Sequence, residues 1–419
     1  MLDRTTAPSH AEINSFHLPS PEIHQLENGV PLFALGGVSQ RVIKIELVFN
    51  AGKWFELKNA VSYFTAHLLE KGTDTKSAYE IADFFDQHGA SVEISHGFDF
   101  VSASLFSLTN NISKVLPVFI ELVTGSVFPE NQLLLQKEIF SQTLRINNEK
   151  TSYVASKLIR KHIFGSSHPY GSSIEENDIS HVTRQDLDDF FRTHFFLSKA
   201  FVVGCIDEAI LKLLISELSL LPVATKEERP IKFVLSQNES SEYLEKENSV
   251  QSSLRLGKRI IGRNHQNYPS LVLLNHIFGG YFGSRLMKNI REDKGLTYGI
   301  HASIHNLKND AFYVITADVN RINKDIAIKE IKNELTLLCE TLISTQELQM
   351  AKNHLLGSLQ LEIANPFSVI EKIKTIQLYE LNEEFYNNMF THILALNEFD
   401  LQKTANDYLA GLMIEVAVG

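Results

Sequence analysis

Apolar and polar residues alternate across Arg41-Val-Ile-Lys-Ile-Glu-Leu-Val-Phe49, the period-two signature of a half-buried strand. Past Ala51-Gly52-Lys53 the period lengthens. Asn59 to Leu69 is apolar at helical spacing and stops before Gly72. Ser77-Ala-Tyr-Glu80 is a capping box that predicts a helix reaching Gly89. Strands are predicted at 90–94 and 99–105, a helix at 110–124, and one long helix over 130–161. His168-Pro-Tyr-Gly171 reads as a turn fixed by His168, Thr183 to Phe195 as a helix, and Ala200 to Gly204 as a buried strand.

The second half repeats this plan. A strand is predicted from Ser249 to Gly257, a helix from Tyr268 to Phe278, and strands at 297–304 and 312–318. Gly279-Gly280-Tyr-Phe-Gly283 reads as a tight turn between two helices, because the Lys-Ser/Thr of a phosphate loop is missing. Ser344-Thr-Gln-Glu347 is a second capping box, opening a helix that stops near Pro366. The chain closes on a helix over 400–409 and a strand over 414–418. Gly52 matches Gly257, Gly72 matches Gly280, Asp186 matches Asp400 and Gly204 matches Gly419, with an offset that grows slowly, as duplication followed by loop insertion leaves it. The expected architecture is therefore α+β, with two duplicated domains, each a mainly antiparallel sheet packed with helices and the pair arranged like a clamshell. Polar, charged stretches at 224–230 and 237–248 place the boundary near residue 225, giving domains 1–224 and 225–419 and a hinge between them.

Composition narrows the partners. With 39 Lys and Arg against 50 Asp and Glu, the formal charge of −11 repels phosphate backbones, so nucleic acid is not an expected partner. Two isolated cysteines, Cys205 and Cys339, exclude a disulfide scaffold and thiolate zinc sites and fit a reducing compartment. The first 21 residues lack the apolar core of a signal peptide, and no stretch approaches the roughly 18 apolar residues of a membrane span. A cytoplasmic protein with no membrane association is expected.

Chemistry is harder to locate from pattern alone. His67 and Glu70 share a helix face, three residues apart, but a third metal ligand is missing nearby. His301 and His305 share a strand face, a pattern more typical of surface residues. No nucleophile elbow occurs.

Longer motifs carry a resemblance over nearly the whole chain. Tyr63-Phe-Thr-Ala-His-Leu-Leu-Glu-Lys-Gly-Thr73 after Phe49-Asn-Ala-Gly52, His168-Pro-Tyr-Gly171, and Phe282-Gly-Ser-Arg-Leu286 running into Ile290-Arg-Glu-Asp-Lys-Gly-Leu-Thr-Tyr298 resemble the pitrilysin/insulinase-type zinc peptidases, the inverted zincins, in their short bacterial form. Active members carry His-x-x-Glu-His, with two histidines on zinc and the glutamate as general base. Aligned on Lys71-Gly72-Thr73, those positions hold Tyr63, Ala66 and His67. The third ligand, a glutamate roughly seventy to eighty residues on, falls close to Thr143, about one and a half helical turns from Glu138 and Glu149.

The resemblance thus implies a vestigial metal site (Tyr63, Ala66, His67, Thr143) and no zinc bound by this chain. It also implies that Arg291 binds substrate carbonyls and Tyr298 donates to the oxyanion of a tetrahedral intermediate. A guanidinium is a permanent forked donor and a positioned phenol stabilises developing negative charge, so the chemistry is sound. If they serve no such role, Arg291 should pair with an acid and Tyr298 should pack on a strand edge. The expected function is a non-catalytic subunit of a heterodimeric zinc peptidase acting on unstructured peptides, its zinc carried by a homologous partner with an intact motif; a homodimer is also possible. Two alternatives stand beside it: a structural or peptide-holding scaffold, and a peptidase with relocated ligands such as His67 with Glu138 or His96.

Overall fold

The structure is a computed structural model that describes residues 15–224, 241–247 and 249–419. The boundary expected near residue 225, with its hinge, lies outside the described residues. The first sheet contains β1 (Glu22–Gln25), β2 (Pro31–Leu35), β3 (Val42–Phe49), β4 (Ser91–His96), β5 (Val101–Leu108) and β6 (Leu197–Gly204), in the order β1-β2-β6-β3-β5-β4. Neighbours are antiparallel except β2 with β6. Its helices are α1 (Val61–Leu68), α2 (Ala78–Gln87), α3 (Ile112–Thr124), α4 (Glu130–Glu149), α5 (Thr151–Phe164), α6 (Glu176–His181), α7 (Arg184–His194) and α8 (Glu208–Leu218).

The second sheet contains β7 (Glu242–Leu244), β8 (Gln251–Arg259), β9 (Thr297–Asn306), β10 (Ala311–Asn320) and β11 (Ile414–Val418), in the order β7-β11-β8-β10-β9. With it go α9 (Tyr268–Asn275), α10 (Lys324–Glu340), α11 (Thr345–Glu362), α12 (Pro366–Leu378), α13 (Phe385–Ala395) and α14 (Glu398–Thr404). The order of β11, β8, β10 and β9 repeats that of β6, β3, β5 and β4, and the α+β duplication holds. Two of its landmark pairs do the same work in both halves, whereas Gly52 and Gly257 do not correspond, Gly52 lying past the end of β3 and Gly257 inside β8. Asp186 and Asp400 are the third residues of capping boxes opened by Thr183 and Asn397. Gly204 and Gly419 lie where an added Cβ would come within 2.4 Å of a backbone oxygen, of Val42 and Gln251 respectively, so no side chain fits either place.

The single helix expected over 130–161 is two helices. Lys150 is extended (φ −81°, ψ 120°), and α5 leaves the direction of α4 there. Asn147 and Asn148, poor helix formers, weaken the last turn before the break. The tertiary reason is burial. α5 crosses to the second sheet, where Ala155, Ile159, Ile163 and Phe164 pack on Phe312, Val314, Val416 and Val418. α12 makes the reciprocal crossing, seating Val369, Ile370, Ile373 and Ile376 on Phe33, Val48, Phe201 and Val203 of the first sheet. Each sheet therefore takes one covering helix from the other half. Charges pin the exchange: Glu46 on β3, only 4% exposed, accepts from Lys44 and from Lys374 of α12, each at 2.8 Å, and Lys44 also reaches Glu371 at 2.7 Å.

The turn 168–171 serves the same junction. Tyr170 is fully buried, donates to Asp99 at 2.5 Å and accepts from the Asn309 backbone at 3.3 Å in the β9–β10 loop. His168 fixes the turn as expected: its Nδ1 accepts from the Tyr170 amide at 3.2 Å, and its ring stacks on Phe164.

Candidate functional site

Helix α1 buries Val61, Phe64, Ala66 and Leu68 in the first core and leaves Tyr63, His67 and Glu70 on a half-buried stripe at helical spacing. Tyr63 and His67 are stacked, ring centroids 3.9 Å apart, and His67 Nδ1 donates to the Tyr63 carbonyl at 2.9 Å. On its other side Tyr63 meets Phe140 of α4 at 4.2 Å, and its phenol interacts with Gln136. Ala66 is wholly buried, so a methyl group facing the core occupies the general-base position.

Thr143 does not join this group. It is exposed one turn further along α4, and its hydroxyl bonds back to the Ile139 carbonyl at 2.9 Å. The α4 residues that face Tyr63 are Gln136 and Phe140, so Phe140 takes the place that sequence spacing put at Thr143. The two lie on nearly the same helix face, and spacing alone cannot choose between successive turns.

His96, on the edge strand β4, completes the cluster. Its Nε2 lies 2.9 Å from Ser62 Oγ, which bonds Glu56 at 2.8 Å. Burial, aided by the charges of His67 and Lys53, pushes the His96 pKa down to about 3; burial also lowers that of His67 and raises those of Glu56 and Glu70. This polar chain left no mark in the sequence beyond a histidine just past a predicted strand.

A catalytic zinc ion takes three His, Cys, Asp or Glu ligands and keeps a fourth position for water. Here two aromatic rings pack where ligands should converge. The rings of His67 and His96 are 6.4 Å apart, with His96 Nε2 against Ser62, and Glu138 is exposed on α4. Among the described residues no group of three or more potential ligands is placed to hold a metal. The residues present do not fit zinc.

Arg291 and Tyr298 lie in the second half, and no hydrogen bond, ion pair or ring contact among the described residues joins them to the α1 cluster. Two π-helical turns, His276–Gly280 and Met287–Asp293, flank the loop 281–284, with Arg285 and Leu286 already helical ahead of the second turn. Arg291 sits in the second turn, its guanidinium 4.9 Å above the Phe282 ring. Tyr298 is the second residue of the edge strand β9 and is 92% exposed. Neither residue has an ion pair or hydrogen-bonded partner for its polar end among the described residues. His305 is stacked on Phe312, its pKa lowered by burial, while His301 is exposed.

Two family profiles match the chain. The profile described as insulinase (peptidase family M16) matches residues 38–177, and that described as the peptidase M16 inactive domain matches residues 181–355. This chain belongs to peptidase family M16. It is 24% identical over 355 residues to an uncharacterized zinc protease, YmxG, of Bacillus subtilis, covering 83% of this chain and 85% of the relative. It is 25% identical over 366 residues to a protein of Helicobacter pylori called non-peptidase homolog YmxG, covering 85% and 81%. Among solved structures, an M16 inactive domain from Pseudomonas fluorescens superposes with a TM-score of 0.84 at 23% identity, covering 95% of this chain and 98% of that one. A protease from Helicobacter pylori superposes with a TM-score of 0.86 at 18% identity, covering 96% and 100%. Both structures share the fold described above.

Proposed function

We propose that the chain is a non-catalytic M16 subunit that presents Arg291 and Tyr298 to a peptide whose scissile bond is cut at a metal centre on another, homologous chain. One observation carries this reading: the metal half of the site is closed by packed rings, while the arginine and the tyrosine are left with their polar ends open. A structural arginine on an acidic protein has carboxylates to choose from, and a structural tyrosine on a strand edge packs. The naming of the Helicobacter relative as a non-peptidase homolog and the match to the inactive-domain profile support the same reading.

Arg291 would hold a backbone carbonyl through its planar fork, and Tyr298 would donate to the oxygen that gains charge when that carbonyl is attacked. The base and the metal would come from the partner, whose substrate is an unstructured peptide. Two free cysteines, and the lack of any helix among the described residues long and apolar enough to cross a membrane, support work in the cytoplasm.

The test is to assay the purified chain alone and with a homologous subunit carrying intact His-x-x-Glu-His. The lone chain should hold no stoichiometric zinc and cut nothing. In the complex, Tyr298→Phe should lower turnover about ten- to a thousand-fold. Peptidase activity from the lone chain overturns the reading, and an assembly that never acquires activity favours a scaffold.

A further inference from the structure

The aromatic seat beneath Arg291 carries the reading one step further, and the step rests on the function just proposed. Two neighbouring cations on the same segment are held by carboxylates, although Lys288 between them pairs with none among the described residues: Arg285 forks onto Glu347 at 2.7 and 2.9 Å, and Lys294 pairs with Glu330 at 2.5 Å. Arg291 is held instead by the face of Phe282. The difference matters because a carboxylate consumes the N–H donors of a guanidinium, whereas a ring beneath it consumes none. Stacking engages the face of the plane, and the donors point outward from its edge. The Phe282 ring is itself 62% exposed, on a loop anchored by closely packed glycines before and within it: a Cβ on Gly279 would sit 2.7 Å from Ala302, and one on Gly283 2.7 Å from the Tyr281 ring. Burying Phe282 would have been the ordinary use of so large an apolar side chain.

We propose that Phe282 is a positioning residue for peptide binding. It orients Arg291 with its donors free, and its exposed ring is a contact for an apolar side chain next to the carbonyl that Arg291 holds. The ligand is then an extended peptide bearing a large apolar residue.

The probe is a labelled unstructured peptide carrying one phenylalanine, and its serine counterpart, titrated by fluorescence anisotropy into the full chain in complex with its partner. Phe282→Ala should weaken binding of the phenylalanine peptide about five-fold, while Phe282→Trp should restore it or improve it. Phe282→Leu keeps an apolar surface but loses the ring face, so it should bind weakly too. The serine peptide should bind more weakly than its counterpart to the native protein and lose that difference with Phe282→Ala. In turnover Phe282→Ala and Phe282→Leu should raise KM and leave kcat unchanged. Unaltered thermal unfolding of each variant checks that the fold is intact. Native affinity in Phe282→Leu overturns the positioning role. Equal affinity of the native complex for the two peptides overturns the apolar contact. Arg291→Ala separates the two readings: if it leaves peptide binding unchanged, the proposed function fails. If it abolishes binding while the Phe282 variants are neutral, only the present inference fails.

Discussion

Tyr63 and Phe140 lie ring against ring, 4.2 Å apart, at the junction of α1 and α4, the place the family resemblance assigns to metal ligands. The contact converts a would-be metal pocket into a piece of core. Restoring only the α1 motif, with Tyr63→His and Ala66→Glu, should therefore yield a protein that still lacks zinc. Adding Phe140→Glu should bring close to one zinc per chain, measured by elemental analysis after dialysis. Stoichiometric zinc in the double variant would show that Phe140 does not close the site.

The same ring has a structural use. Phe140→Ala should lower unfolding free energy by about 2 kcal/mol, less than the 3–5 kcal/mol of a fully buried phenylalanine because one side meets solvent. Chemical denaturation measures it.

The stability of the protein should fall in mild acid. His96 is held at a pKa of about 3 and His276 at about 4, below the ordinary 6.5, chiefly by burial. Such groups take up a proton more readily in the unfolded chain, so their contribution is full above pH 6.5 and drains away as the pH drops toward the folded values. Each accounts for about 1.4 kcal/mol per pH unit inside that window. His96→Gln should flatten the pH dependence of unfolding free energy between about pH 6 and 4 by one proton. An unchanged slope would remove His96 from the account.

Much of the fold was legible because local signals and burial agree. The capping box at Ser77 and the N-cap at Ser344 start helices where they should, though the box expected at Ser344 is only half formed because the Glu347 carboxylate is taken by Arg285; Asp186 and Asp400 mark the same turn twice. What could not be read depends on contacts distant in sequence. Nothing near Lys150 announces that α5 departs for the second sheet, since its apolar face would look the same packed on either one. The register of Phe140 against Tyr63, and the seat that Phe282 makes for Arg291, are likewise set by packing rather than by spacing. Arg291 and Tyr298 could be proposed from resemblance; their open polar ends had to be seen.

Glu46 offers a test of the exchanged helices. Its carboxylate lies between Lys44 and Lys374, nearly out of solvent. Glu46→Ala leaves two ammonium groups with a single carboxylate, Glu371, and should cost about 3 kcal/mol. Because both halves depend on the junction, unfolding should stay a single transition that moves to lower denaturant. A split into two transitions would mean that the halves are independent.

Tyr170→Phe probes the neighbouring contact. Removing the phenolic hydroxyl strips Asp99 of a buried donor and should cost about 2 kcal/mol, read from thermal or chemical unfolding.

The crossing of α12 also bears on how the chain is made. When the ribosome has released residues through β6, the first sheet still shows Phe33, Phe201 and Val203 to water, because the helix that shields them comes from residues 366–378. A nascent or truncated N-terminal half therefore carries a sticky flank that only the far end of the same polypeptide can hide. Its natural guardian in the interval would be a chaperone.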